Sequence, residues 1–275
     1  MMSALEFVSI CCFLALPVFY EHSSTFRYYF KFFVYYAYIM VASVIVLPVM
    51  IMKPRSVENL ILASNLCRHV STLLGLRWEL RGGDHLSRDQ SFVIVANHQS
   101  SIDILGMFEL WPVMKKCTVV AKKELLYAGP FGLAAWLCGL IFINRLNSES
   151  SRQAINVSAD QLRDTKVKMW VFPEGTRNNT GQIHAFKKGA FHAAISAQLP
   201  ILPVVYTHFY FLESEKCVFN PGRVVITVLP PIKTTGLCFD DLAQLMTSTH
   251  KTMTETFEAT TKELLKELEN DRSYL

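Results

Sequence analysis

Two ionisable residues stand at the mouth of an apolar run in VIVANHQSSIDIL, residues 93–105: His98 and Asp103. Side chains five positions apart lie about 140° apart around an ideal helix, so one regular helix cannot bring this pair together. They meet if His98 sits on a turn and Asp103 in the first helical turn, with Ser100 or Ser101 as the N-cap, which presents the imidazole at a dipole-positive end. The chemistry such a pair performs is proton removal. Imidazole is the side chain that exchanges a proton near neutral pH, and a carboxylate beside it fixes its tautomer and stabilises the imidazolium. The same residues also read as a capped helix with a solvated aspartate and an incidental histidine.

Two further polar breaks follow apolar runs. Asn144 and Arg145 come after GLIFI, and PEGTRNN, residues 173–179, comes after KMWVF. In open α/β sheets ligand sites gather outside the carboxyl ends of strands, so three such clusters point to one crevice. PEG is a turn sequence, with proline suited to the second position and Gly175 to an unusual backbone angle, and Glu174 reads equally as a solvated residue. Arg145 and Arg177 are side chains that can bond two phosphate oxygens at once, although an arginine at a strand end is also an ordinary surface charge. Lys115, Lys116, Lys122 and Lys123 bracket a strand as a solvated edge or as receivers of anionic phosphate. The other seven histidines read as core or surface residues. One histidine and one aspartate do not make a three-ligand zinc site, so no metal is expected.

The elements that must position these residues alternate. Strand patterns occupy 77–80, 92–96, 117–121, 140–143, 167–172, 201–206 and 224–229, and helical spacing occupies 102–110, 133–137, 151–163 and 190–197. This alternation predicts an α/β fold, a mixed sheet flanked by helices. Residues 240–270 are polar and helix-favouring, one surface helix or two. Ahead of Pro54 the chain is continuously apolar. Phe7 to Tyr20, about 21 Å as a helix, falls short of a bilayer core, whereas Phe32 to Met52, about 31 Å, can span one. Pro17 and Pro48 leave open a half-inserted hairpin, and basic residues on both flanks of the second segment give no orientation. The expected organisation is a hydrophobic helical membrane anchor over 1–53 and an α/β domain over 54–275. A third uncharged run, Leu125 to Asn144, contains three glycines and a proline and reads as loop, helix and buried strand rather than as a span.

A net charge of +4 in 275 residues, with no basic run interleaved with aromatics, excludes a nucleic-acid binder. Seven cysteines without CxxC spacing support neither a disulfide framework nor a zinc site. They suit a reduced, cytosol-facing chain.

Four segments together resemble the glycerolipid acyltransferases. NHQSSID matches their NHxxxxD motif, GLIFINR the second motif, FPEGTRN the third and LPILPVVY the proline-containing fourth, in the family's order and within 92–231. With KKELLYAG and FKKGAF between them, the set looks like the 1-acylglycerol-3-phosphate (lysophosphatidic acid) acyltransferases. In IHAFKKGA, His184 and Ala185 stand where an apolar residue and a proline are expected. The resemblance implies transfer of an acyl group from acyl-CoA, a co-substrate, to the sn-2 hydroxyl of lysophosphatidic acid without any cofactor. It implies His98 as general base oriented by Asp103, and Asn97, Arg145, Glu174, Gly175, Thr176, Arg177 and Lys187 at the substrates. Glu174 and Thr176 would bind the glycerol hydroxyl or order the loop. Backbone N–H groups near Gly175 or at the helix start after His98 would receive the oxyanion. It further implies a lipid membrane as partner and the endoplasmic reticulum membrane as location, with the site facing the cytosol. The tripeptides NVS at Asn156 and NNT at Asn178 agree with the last point, because a sugar at Asn178 would obstruct Arg177. The alternatives are a different acceptor, another lysophospholipid or glycerol 3-phosphate, and a non-catalytic membrane lipid-binding protein.

Overall fold

The computed structural model describes residues 3–144, 148–163 and 165–272. Helices α1 (Ala4–His22) and α2 (Ser24–Ile51) lead into α3 (Asn59–Cys67) and α4 (His69–Leu74). Then follow β1 (Leu76–Arg81), α5 (Gly83–Ser87), β2 (Val93–Ala96), α6 (Asp103–Met114) and β3 (Cys117–Lys122). A 3-10 turn over Lys123–Tyr127 precedes α7 (Gly129–Leu137), β4 (Ile141–Ile143), α8 (Ser148–Leu162) and β5 (Lys168–Val171). The chain continues through α9 (Gly189–Ser196), β6 (Ile201–Tyr206), the small hairpin β7 (Leu212–Glu213) and β8 (Val218–Phe219), and β9 (Gly222–Val228). It ends in α10 (Leu242–Arg272).

Seven strands form one sheet in the order β1-β9-β6-β2-β5-β3-β4. Every pairing is parallel except β6 with β9, so the sheet is mixed. All seven were legible as short runs rich in β-branched or aromatic residues, and the run from Leu125 to Asn144 divides into turn, helix and strand as expected, except that β4, at the edge of the sheet, is half-buried rather than buried. The polar C-terminal stretch is a single helix.

Successive strand residues point to opposite faces, and each face has its own core. Ile94, Ala96, Trp170, Leu202 and Tyr206 pack on one side with α6 and the N-terminal helices. Val93, Val95, Met169, Ile201 and Val205 pack on the other with residues of α8, α9 and α10. Burial on both faces explains why the central strands read as unbroken apolar runs rather than as alternation. Burial also pushes the thiols of Cys67, Cys117 and Cys138 up to about 12, leaving them protonated and inert.

The anchor expected from composition is not detached from this core. Tyr35, Ile39, Ala42, Val46 and Met50, on one stripe of α2, belong to the same cluster as Ile94 and Tyr206. Lys31, buried in that stripe, donates to the Leu74 carbonyl at the end of α4 (2.8 Å). The opposite stripe, Phe33, Val41, Val44, Ile45 and Val49, is exposed. Sequence periodicity missed this division because both stripes are apolar. Among the described residues α2 is the one helix long and apolar enough to cross a membrane.

One glycine governs the packing of α6 behind the site. A Cβ on Gly106 would lie 2.6 Å from the Tyr206 ring and 2.9 Å from Trp78. Gly106→Ala gains helix propensity of about 1 kcal/mol, yet overpacking two large rings costs about 1–3 kcal/mol. The variant should therefore unfold at lower denaturant than the parent; an unchanged or raised midpoint would show that Tyr206 and Trp78 yield freely.

Candidate active site

β2 ends at the centre of the sheet, between β6 and β5, and the chain beyond it keeps reaching sideways to both neighbours. Asn97 donates to the Tyr206 carbonyl (3.0 Å) and accepts from the Tyr206 N–H (2.8 Å). Two residues on, Gln99 donates to the Thr207 carbonyl (2.9 Å) and accepts from the Phe209 N–H (3.1 Å). These amides act as ladder rungs where β2 no longer supplies backbone partners. His98, between them, lies against Phe172 at the end of β5, ring centroids 4.0 Å apart and 18° from parallel.

His98 and Asp103 meet. Nδ1 is 2.5 Å from Asp103 Oδ2, and both side chains are buried. The Asp103 carboxylate also accepts the N–H groups of Gln99 (2.8 Å) and Ser100 (3.1 Å). Neither Ser100 nor Ser101 is the helix cap: Ile102 occupies that position without a side-chain cap bond. Asp103 turns its carboxylate back over the loop and accepts the N–H groups of Gln99 and Ser100, which precede the helix. A carboxylate requires a proton on Nδ1, so Nε2 carries the lone pair. Nε2 has no hydrogen-bond partner among the described residues.

The loop after β5 clasps this one. Gly175 N–H closes the PEG turn on the Phe172 carbonyl (3.1 Å), with Gly175 at φ +72. Inside the turn Glu174 is buried, its Oε1 accepting the His98 N–H (2.7 Å) and its Oε2 the His184 N–H (3.0 Å). Burial raises its carboxyl above the usual range, against the two N–H bonds that pull it down. The Asn178 N–H takes the His98 carbonyl (2.9 Å). A Cβ on Gly175 would meet the Lys187 ammonium at 2.8 Å, a contact the exposed lysine can relieve by moving, so it is the left-handed φ that calls for glycine.

Two cavities approach the histidine. One of about 850 Å³ is lined by Gln99, Ser100, Ser101, Arg177 and tyrosines of α2. The other, about 460 Å³, is lined by apolar Val171, Phe172, Ile155, Ala190 and Met246 together with Arg152, Lys187 and Lys188. Phe172 touches both His98 and the second cavity.

The Acyltransferase family profile matches residues 77–207. The mouse 1-acyl-sn-glycerol-3-phosphate acyltransferase alpha is 41% identical over 237 residues, covering 86% of this chain and 82% of its own. The chain belongs to this acyltransferase family. The human beta form is 40% identical over 74% of this chain and 73% of its own, and the Saccharomyces cerevisiae 1-acyl-sn-glycerol-3-phosphate acyltransferase 35% over 68% and 62%. The crystal structure of the 1-acyl-sn-glycerophosphate acyltransferase from Thermotoga maritima superposes with a TM-score of 0.65 at 23% identity, covering 86% of this chain and 94% of that one, which establishes the shared fold.

In this acyltransferase the residues expected at the substrates divide. Arg177 and Thr176 are exposed and make no hydrogen bond to the described residues; Lys187 is also exposed, beside Gly175. Asn97 and Glu174 are instead committed to backbone, because a buried N–H or carbonyl left at a strand end requires a partner. Arg145 lies outside the described residues. Of the backbone donors expected for an oxyanion, those of His98, Gln99, Ser100 and Gly175 are already engaged. The N–H groups of Ser101, Thr176 and Arg177 have no acceptor among the described residues. The departure at His184 and Ala185 spares the clasp, since Glu174 takes the His184 backbone rather than its ring. Gln99 and Phe172 were missed. For Gln99 the signal was present: polar residues at 97 and 99 continue the two-residue period of β2 past its end.

Glu174→Gln tests the clasp. An amide accepts one N–H but turns its own NH2 toward the other, leaving a buried donor unpaired at a cost of about 1–3 kcal/mol. Stability should fall by that amount and the His98 amide should exchange faster; neither change would mean that one oxygen suffices.

Proposed function

We propose that this acyltransferase moves a fatty acyl group from acyl-CoA to the sn-2 hydroxyl of 1-acylglycerol 3-phosphate, giving phosphatidic acid. The observation that carries the reading is the buried His98–Asp103 pair with Nε2 open, in a chain of this family. A hydroxyl attacks a thioester poorly unless its proton leaves as the new bond forms. Nε2 takes that proton, the alcohol oxygen adds directly to the thioester carbonyl, and Asp103 steadies the imidazolium. Collapse of the tetrahedral intermediate breaks the C–S bond, and the imidazolium returns its proton to the leaving thiolate. Ser101, Thr176 and Arg177 are the nearby backbone donors still available to the oxyanion. Arg177, joined by Arg145, is the clamp for the acceptor's phosphate, with Lys187 a further cation for a phosphate. Asn97 and Glu174 serve the reaction by holding the His98 loop, and Thr176 by lying beside the acceptor.

His98→Ala removes the base, and general-base catalysis contributes about 10²–10⁴ in rate. Turnover should fall by at least about a hundredfold in a protein that still folds. The assay is purified enzyme with labelled acyl-CoA and a panel of lysophospholipids plus glycerol 3-phosphate. Near-parental turnover by folded His98→Ala would remove the mechanism, and preference for another acceptor would reassign the substrate.

The outward stripe of α2 suits lipid, and its inward stripe suits the domain, so the helix lies along the domain with one side in the hydrocarbon. The cytosolic face of the endoplasmic reticulum fits a chain that draws on cytosolic acyl-CoA and whose described cysteines are free. Truncation before Pro54 is a poor test of anchoring, because it strips Tyr35, Ile39, Val46 and Met50 from the core. Val41→Asp with Ile45→Asp is better, both side chains being about 60% exposed (59% and 60%). Each charge at membrane depth costs about 3 kcal/mol. The double variant should fold yet fail to float with vesicles; retention as tight as the parent's would place that stripe outside the lipid.

A further inference from the structure

The loop joining His98 to Asp103 is fastened at every point but one by groups of the sheet domain. Asn97 and Gln99 fasten themselves to the continuation of β6, Glu174 and Asn178 hold the His98 peptide groups, and Asp103 gathers the N–H groups of Gln99 and Ser100. The remaining corner is Ser101. Its hydrogen bonds among the described residues both come from α2: the Tyr35 hydroxyl donates to its carbonyl (2.9 Å), and the Tyr36 hydroxyl to its Oγ (3.1 Å). A regular helix would send the Leu105 N–H to that carbonyl, but here it goes to Ile102 (2.9 Å). The Tyr35 hydroxyl is therefore the donor the Ser101 carbonyl has in place of a backbone partner. Tyr35 is buried, while Tyr36 is half exposed and lines the larger cavity with Ser101.

We propose that Tyr35 is a positioning residue: it fixes the turn between base and carboxylate from the helix whose other side meets lipid, so turnover depends on how α2 is seated. This rests on the assignment of His98 as the base. The hydroxyl touches no reacting atom. It sets where the Ser101–Ile102 corner lies, and hence the angle at which Asp103 enters α6 and meets His98.

The same helix supplies its own control. Tyr38, three residues on, donates its hydroxyl to the Leu66 carbonyl in α3 (2.9 Å), a bond of the same kind from α2 to the domain but away from the loop. Full-length parent, Tyr35→Phe and Tyr38→Phe are compared in phospholipid vesicles, each variant losing one hydroxyl-to-carbonyl bond. Tyr35→Phe should lose about fivefold to tenfold in kcat, the factor for roughly one net hydrogen bond, with both KM values nearly unchanged. Tyr38→Phe should keep its kcat within about twofold, the control in which the loop's bonds are untouched. Hydrogen exchange over residues 98–104 should quicken in Tyr35→Phe only. An unchanged kcat in Tyr35→Phe, or an equal fall in Tyr38→Phe, would overturn the proposal. If the parent chain turned over no 1-acylglycerol 3-phosphate, the acceptor reading would fail and exchange alone would decide. Loop loosening confined to Tyr35→Phe then supports positioning, and equal exchange in both variants removes it.

Discussion

A strand that stops in the middle of a sheet leaves peptide groups in a dry interior with no neighbouring strand to receive them, and each unpaired group costs kilocalories. At the end of β2 the chain answers with side chains. Asn97 and Gln99 stand in for backbone along β6, Glu174 supplies two acceptors between loops, and Asp103 gathers the donors that follow. The same bonds fix the one imidazole in their midst. His98 needs little of its own beyond Phe172 on one flank and the carboxylate on Nδ1, because its backbone is held on both sides. Preorganisation here is a by-product of satisfying buried polar groups. It explains why a site of few reacting atoms needs so long a polar motif.

The apolar N-terminal helices join this arrangement rather than merely carrying it. α2 closes one face of the sheet's core, covers the larger cavity with tyrosines and turns its remaining stripe outward. A helix with a membrane span's composition thus does the work of a core helix on one side. At the far edge, Arg81 and Arg223 pair with Glu263 and Glu267 of α10, and Glu79 lies between the two arginines. That network ties the last helix to β1 and β9, away from His98.

Much of this was legible in the sequence because it is written in local pattern. Runs rich in β-branched or aromatic residues mark all seven sheet strands, His98 and Asp103 are set at a spacing that only a turn can close, and Pro173 to Gly175 form the turn their types favour. What escaped was decided by which of several competing partners, near or distant in sequence, each polar group meets in the fold. Ser100 and Ser101 look like helix caps, but nothing local reveals that Asp103 will take the loop's donors itself. Glu174 looks solvated or substrate-facing until His184 and His98 arrive from either side. The two stripes of α2 are equally greasy, so no periodicity tells lipid from core, whereas α3 and α4 bury polar Asn59, Ser64 and Ser71 and expose Leu62 and Leu73, against the pattern sequence would suggest. The two-residue strands β7 and β8 are too short to carry a period.

Phe172 separates the histidine from the smaller cavity with the thickness of one ring, while Gln99 to Ser101 border the other opening. A donor held in one cavity and an acceptor in the other can occupy the protein together, on either side of the His98 loop. Direct attack with both substrates bound, as proposed, stores no acyl group on the protein and corresponds to sequential kinetics. The two linings share no residue, so a change in the wall of one leaves the wall of the other as it was.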